Sequence, residues 1–367
     1  MRVRCPILVM TLVAAAFASG ALGSGSLPQL EAEPCSATWE SVPLPKLPAN
    51  RYIMAVAAVE ADDVWAVGST SFGDRERPLA IHWNGSRWEV VAVPGRGELN
   101  DVAAIAANDV WAVGTTTSTA ANSKPLILHW GGLRWSIVSP AKATSTQLEG
   151  VAIAAQGDIW AVGGTMRPDS WVAHIEHWNG QRWRRVSSAQ GQPSINALTA
   201  ISARDIWAVG GNLDDPEGTR PGIQHWAGRS WSVVRTSPLG KPNEEWSLGL
   251  GALSGTAANN VWAVGHLLSG PLAMRWDGRR WREVPIPYSH WRARYENRDN
   301  SWLFGVAAIA PDDVWAVGFG IEHWDGRRWT HIKLFGEADD LFDIAAVSAT
   351  DIWAVGWTQI LHYACST

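Results

Sequence analysis

The sequence is poor in cysteine and in charge, and each shortage excludes a class of protein. Three cysteines among 367 residues are too few for a fold held together by many disulfides. Charged residues make up 18% and the net charge is −5, so no basic surplus exists to neutralise nucleic-acid phosphates. A hydrophobic content of 46% excludes general disorder, and 35 glycines with 20 prolines exclude a long coiled coil. We expect a globular protein without a nucleic-acid partner.

Long hydrophobic runs are absent except at the N-terminus. Residues 6–18 are apolar, follow Arg2 and Arg4, and precede small residues of the kind that signal peptidase accepts. The run is shorter than the roughly 20 residues that cross a bilayer. We predict a signal peptide over residues 1–23 and a secreted, periplasmic or extracellular protein without a membrane span.

A hexamer, D/N-V/I-W-A-V-G, occurs seven times along the chain. Its tryptophans are Trp65, Trp111, Trp160, Trp207, Trp262, Trp315 and Trp353. A run of small apolar residues precedes each copy. The first six copies are followed by a second signature, which reads His-Trp-Asn-Gly-Ser-Arg-Trp at residues 82–88. Asn-Gly and Asp-Gly pairs favour tight hairpins, because these residues tolerate a positive φ.

Each repeat therefore predicts four short strands, a to d, joined by turns. Strand a is the small apolar run, strand b carries the hexamer, and strands c and d flank the Asn-Gly or Asp-Gly turn. Four strands in 40 to 50 residues is the period of a β-propeller blade. We predict an all-β, seven-bladed β-propeller over residues 35–367, with four antiparallel strands per blade. We expect it to be a monomer.

The hexamers and the Gly-x-x-Trp turns resemble those of secreted bacterial propellers of the sialidase-like superfamily, with BNR or Asp-box-type repeats. This group includes the photosystem II assembly factor propellers. The resemblance covers nearly all of the chain after the signal peptide and implies the propeller fold. It departs from an Asp-box at Asp325 and Gly326, which are adjacent here, and at His323, which stands where the box has Ser or Thr.

The residues repeated in every blade point to packing. Twenty of the 25 tryptophans belong to the repeat, and we expect their rings to fill the spaces between blades. The repeated histidines suggest metal ligands, but equivalent positions in different blades lie far apart on a ring. We expect each histidine to bind a local partner, such as the hexamer aspartate. We expect the aspartates themselves, for example Asp109, to cap backbone amides in the a–b turn.

The variable segments point to a functional face. The a–b and c–d turns are nearly uniform, whereas the b–c and d–a connections differ in length and chemistry, and loops on a rigid scaffold carry function. Aromatic and arginine residues in the d–a connections predict a ligand-binding site for a glycan or a protein. Its candidate residues are Trp246, Trp291, Arg292, Tyr295 and Trp302. The alternative is that Trp246 and Trp302 only plug the mouth of the channel.

Two functions follow from this face. The first is a non-catalytic binding or scaffold propeller that recognises an extracellular glycan or protein, with no catalytic residues, no metal and no cofactor. The alternative is a sialidase-like glycoside hydrolase or lyase acting on an extracellular polysaccharide. Asp101, Glu149 and Asp343 near the starts of strands a would supply its paired carboxylates. The sequence contains no Gly-rich phosphate loop, Cys/His metal spacing or Gly-x-Ser-x-Gly elbow.

The seventh repeat ends without a strand d, and the missing strand lies near the N-terminus. The segment 37–43 matches the strand d of the first repeat, with Trp39 in the place of Trp88. We predict that it pairs with residues 360–363 and closes the ring. The repeat then brings Cys35 and Cys365 to the same hairpin position, within the Cα separation that a disulfide allows. A Cys35–Cys365 disulfide is predicted, with two unpaired thiols as the alternative.

Overall fold

The structure is a computed structural model and describes residues 37–70, 76–117, 119–189, 193–212, 221–239, 248–267, 270–287, 302–333 and 340–365. Within these ranges the chain forms seven four-stranded antiparallel sheets. Strand a of each sheet contacts strand a of the next, and the seventh contacts the first, so the sheets form a ring. The predicted seven-bladed propeller is confirmed. No helix of the described residues is long and apolar enough to cross a membrane. The predicted signal peptide lies outside the described residues.

Strands are numbered β1 to β28 in chain order, and each of blades 1 to 6 is built from four consecutive strands. Blade 1 holds β2 (Arg51–Glu60), β3 (Asp63–Thr70), β4 (Arg77–Trp83) and β5 (Trp88–Val91). Blade 2 holds β6 (Glu98–Ala106), β7 (Asp109–Thr115), β8 (Pro125–Trp130) and β9 (Trp135–Ile137), with a 3₁₀ turn at Ala120–Asn122. Blade 3 holds β10 (Thr146–Ala155), β11 (Asp158–Met166), β12 (Trp171–Trp178) and β13 (Trp183–Val186).

The other blades follow the same order. Blade 4 holds β14 (Ile195–Ser202), β15 (Asp205–Asn212), β16 (Pro221–Trp226) and β17 (Trp231–Val233). Blade 5 holds β18 (Leu248–Ala257), β19 (Asn260–Leu267), β20 (Gly270–Trp276) and β21 (Trp281–Glu283). Blade 6 holds β22 (Leu303–Ala310), β23 (Asp313–Gly318), β24 (Ile321–Trp324) and β25 (Trp329–Ile332). Blade 7 holds β26 (Leu341–Ser348), β27 (Asp351–Gly356), β28 (Ile360–Cys365) and, as its outer strand, β1 (Ala37–Ser41).

The N-terminal strand closes the ring, as predicted. β1 pairs antiparallel with β28, and Trp39 lies opposite Tyr363 in the register that joins Trp83 to Trp88 in blade 1. The Val42 N–H continues the ladder by donating to the Ile360 carbonyl at 2.9 Å. The first and last blades therefore share no open sheet edge, which removes a site of strand-to-strand aggregation.

Tryptophans fill the spaces between blades, also as predicted. The hexamer ring of one blade contacts both the strand-c and the strand-d ring of the next. Trp65 lies 4.9 Å from Trp130 and 5.3 Å from Trp135, measured between ring centroids. At the closure, Trp353 of blade 7 contacts the corresponding Trp83 and Trp88 of blade 1. Tilted and edge-on aromatic pairs of this kind stabilise beyond their buried area.

The predicted Cys35–Cys365 disulfide stays a prediction, because Cys35 lies outside the described residues. In the described part, Ala37 pairs directly with Cys365, and Cys35 is two residues before Ala37 in the sequence. We expect thiol titration of the unfolded, unreduced exported chain to find no free thiol. Two reactive thiols would contradict the disulfide.

Candidate functional site

The channel is lined by one displaced residue from every blade. Near its start, each strand a carries a β-bulge, and the extra residue of the bulge turns toward the channel. Around the ring these residues are Met54, Asn100, Glu149, Asn196, Gly251, Phe304 and Phe342. All seven line a cavity of about 290 Å³ at the b–c and d–a end of the channel.

The glycine that ends the hexamer explains why strand a can bend at this level. A Cβ on Gly68 would lie 1.9 Å from the Tyr52 carbonyl oxygen, so only glycine allows this approach of strands a and b. Gly114 faces the Glu98 carbonyl in the same way, at 2.0 Å. The hexamer glycine, which is the same in every blade, therefore positions the bulge residues, which differ from blade to blade.

One side of the mouth is an aromatic arc, which we define as Tyr52, Trp302, Phe304, Phe342 and Trp357. The rings form a continuous series from blade 6 through blade 7 to blade 1, with neighbouring centroids 5.3 to 6.0 Å apart. His266 of blade 5 supports one end, stacking on Trp302 at 4.1 Å. Trp302 is 41% exposed and Trp357 is 44% exposed. The arc therefore offers aromatic surface to a ligand at the mouth.

The other side of the mouth is lined by carboxyl and amide side chains. Blades 2 to 4 place Asn100, Asp101, Glu149 and Asn196 on the cavity wall, and Asp343 of blade 7, the residue after Phe342, lines the cavity as well. Glu98 lies two residues before the bulge of blade 2, the same strand position that Tyr52 and Trp302 occupy in their blades. We call Glu98, Asp101, Glu149 and Asp343 the mouth carboxyls.

The mouth carboxyls are costly to ionise. Burial, aided by the negative charges of Glu76 and Glu149, raises the pKa of Glu98 to about 7. Burial raises the pKa of Asp343 to about 7 as well, although the N–H groups that donate to it oppose the rise. The pKa of Asp101 is raised well above its usual value by burial and by the charge of Asp343. Burial also raises the pKa of Glu149.

Several of these side chains also join neighbouring blades. Asp101 accepts the Val102 N–H at 2.8 Å through Oδ1 and the Val151 N–H of blade 3 at 2.7 Å through Oδ2. Asp343 accepts the Val56 N–H of blade 1 at 2.9 Å. The Asn100 amide donates to the Leu148 carbonyl at 2.8 Å. The polar side of the mouth is therefore held rigidly in place.

The repeated histidines have a structural role, as predicted. His82, His129, His177, His225, His323 and His362 each bind the aspartate of their own hexamer, at 2.6 to 3.0 Å. The expectation that these aspartates cap backbone amides is wrong. In blade 1 Asp63 accepts the Trp65 indole N–H and binds His82, whose ring stacks on Trp65. The described residues contain no group of three His, Cys, Asp or Glu side chains that could hold a metal ion.

Of the predicted ligand-binding residues, the structure places Trp302 at the rim of the mouth. Trp246, Trp291, Arg292 and Tyr295 lie outside the described residues. Sequence reasoning named Asp101, Glu149 and Asp343 as channel carboxyls but missed Tyr52, Glu98, Phe304 and Phe342. A signal for Phe304 and Phe342 was present: the residue that follows the first large apolar residue of each strand a differs from blade to blade.

Comparisons with known proteins support this architecture. No protein-family model matches the sequence, and no curated protein matches it significantly. A solved structure of YCF48 bound to D1 peptide is 16% identical with a TM-score of 0.59, covering 89% of this chain and 97% of that one. A streptogramin B lyase is 13% identical with a TM-score of 0.62, covering 90% and 98%. A xyloglucanase from Xanthomonas campestris is 15% identical with a TM-score of 0.57, covering 89% and 53%. These likenesses show the fold alone.

Proposed function

We propose that this chain is an exported binding propeller that holds a segment of a partner protein across the mouth of its channel. The aromatic arc carries the proposal. Trp302 and Trp357, which do not belong to the repeat, remain about two-fifths exposed beside Phe304 and Phe342 of the cavity wall, whereas the tryptophans of the repeat pack between blades. Exposed, contiguous aromatic surface beside a concave site marks an interaction site. Among the similar solved structures, the YCF48 structure contains a bound peptide, which is consistent with this use of the fold.

The hydrogen bonds of two of the four mouth carboxyls, Asp101 and Asp343, favour binding over catalysis. A glycoside hydrolase or lyase needs a carboxyl group that can transfer a proton to or from its substrate. Both carboxyl oxygens of Asp101 already accept backbone N–H groups, and Asp343 accepts one from the next blade. These contacts fix the blades to one another. We therefore propose that the mouth recognises its ligand without turning it over.

The double variant Trp302→Ala and Trp357→Ala tests the proposal. We expect it to lose at least about tenfold in affinity on a peptide array, because truncating an interface tryptophan typically costs 2 kcal/mol or more. Leu133→Ala is the matched control, since Leu133 is a large apolar side chain, 91% exposed, in a c–d turn. A glycan array and an assay for polysaccharide cleavage are run in parallel. Binding confined to glycans, or cleavage lost in the double variant, would contradict the proposal.

A further inference from the structure

The charge of the mouth has one sign. Among the described residues that line the cavity, every titratable side chain is an acid, and none is lysine, arginine or histidine. Glu98 adds a fourth carboxyl at the rim, next to Glu76 and Glu149. His266 lies behind Trp302, and burial lowers its pKa, so it brings no positive charge at neutral pH. Among the described residues, the lining of the mouth therefore presents carboxyl groups and no cationic side chain, which favours a positively charged ligand.

This charge is local to the mouth. The c–d turns lie at the opposite end of the blades, where they carry exposed arginines in blades 1 to 6: Arg87, Arg134, Arg182, Arg229, Arg280 and Arg328. The acidity of the mouth therefore does not reflect a uniformly acidic surface.

The aromatic arc narrows the class of ligand further. Aromatic faces attract cations through the ring quadrupole, and they pack against aliphatic chains. A carboxylate-lined wall facing an aromatic wall suits a group that is cationic at its tip and apolar along its stem. Lysine and arginine side chains have this construction. A cavity of about 290 Å³ is the size for one such side chain rather than for a folded element.

We propose that the mouth binds a lysine or arginine side chain within a peptide segment of the partner protein. The aliphatic stem packs on Phe304 and Phe342, the cationic tip faces the mouth carboxyls, and the flanking residues of the peptide pack on Trp302 and Trp357. This inference rests on the proposed function and specifies the chemistry of its ligand.

The affinity for the cationic side chain should depend on pH, because the mouth carboxyls titrate near neutral pH. The groups facing the bound cation are Glu98 and Asp101 from blade 2, Glu149 from blade 3 and Asp343 from blade 7. Glu76, the neighbour of Glu98, comes from the b–c connection of blade 1. A cation favours the ionised form of each. Since the pKa values of Glu98 and Asp343 are raised to about 7, binding should release protons near neutral pH. Affinity for the cation should therefore rise between pH 6 and pH 8.

Two peptides that differ only in charge test the inference on the full mature chain. The probes are acetyl-alanyl-lysyl-phenylalanyl amide and the same peptide with norleucine in place of lysine, measured by calorimetry. We expect the lysyl peptide to bind at least about tenfold more tightly at pH 8, because a charge-assisted contact is worth about 1.5–3 kcal/mol. We expect the preference to shrink at pH 6.

Matched variants show which carboxyl the preference for the lysyl peptide depends on. Glu98→Gln should weaken the lysyl peptide about three- to tenfold and leave the norleucyl peptide unchanged. Glu60→Gln is the control, because Glu60 is an exposed acid at the opposite end of a strand a. Equal affinity for both peptides, both weakened by Trp302→Ala, would overturn the cation inference and leave the proposed function standing. Binding of glucosamine without binding of the lysyl peptide would replace the peptide by an amino sugar. Absence of binding by any probe would overturn the inference.

Discussion

Replacing Trp39 by alanine should lower the free energy of unfolding by about 3 kcal/mol, the low end for truncating a packed aromatic side chain. Trp39 lies on β1, the strand that the N-terminus contributes to blade 7. Its ring centroid is 5.4 Å from that of Tyr363 and 5.7 Å from that of Trp315 in blade 6. The substitution therefore opens the contact between blades 6 and 7 and loosens the strand that closes the ring.

Urea unfolding followed by tryptophan fluorescence measures this loss. Glu40→Ala is the matched control: Glu40 is the next residue of the same strand and is exposed, so its loss should change stability by less than about 0.5 kcal/mol. Hydrogen exchange shows which strands are loosened by the substitution. In the Trp39 variant the amides of β28 should exchange faster, whereas those of β11 in blade 3 should not. Equal stability of the two variants would mean that β1 contributes little to closure.

How much of this fold could be predicted from the sequence depends on which residues repeat. The hexamer tryptophans and the Gly-x-x-Trp turns recur in register, so strand order, inter-blade packing and the closing role of Trp39 could all be read from spacing. The histidine partner of the hexamer aspartate could be predicted as well, but its tryptophan indole partner could not. Position in a tight turn suggested backbone capping, but the buried Trp65 indole N–H and His82 compete for the same carboxylate.

The functional end of the channel was harder to predict, because it depends on a bulge. A side chain in a regular strand alternates between faces, and an inserted residue changes which side chains face the channel. Phe304 and Phe342 look like further apolar residues of strand a, yet the bulge turns them into the cavity beside Asn100 and Glu149. The residues that repeat in every blade identify the propeller scaffold. The strand positions at which the residue differs from blade to blade identify the candidate site.

The mouth carboxyls should lower the stability of the chain, and Asp343 gives the clearest measurement of this cost. Burial raises its pKa from 3.8 to about 7 in the folded chain. Since the folded pKa exceeds the unfolded value, the folded chain binds the proton more tightly. The contribution of Asp343 to stability is therefore highest below about pH 4, and it falls as the pH rises through the window up to about 7. Asp101 has a raised pKa for the same reason and repels Asp343.

Asp343→Asn should therefore stabilise the chain at pH 8, by on the order of 1–3 kcal/mol, and the gain should shrink to near zero at about pH 3, where the carboxyl is largely protonated in both states. The asparagine oxygen can still accept the Val56 N–H, so the contact between blades 7 and 1 is kept. Thermal unfolding at both pH values measures the difference.

Asp325→Asn is the control with the opposite sign. Backbone N–H groups of Arg328 and Arg327 lower the pKa of Asp325, so this charge adds stability that is lost as the pH falls. A destabilised Asp343→Asn variant at pH 8 would show that the charge supports the fold. A stabilised variant would show that the chain retains a carboxyl at the expense of stability, as functional sites do. The same variant should then bind the lysyl peptide more weakly at pH 8. This result would show that the carboxyl that lowers stability also contributes to binding.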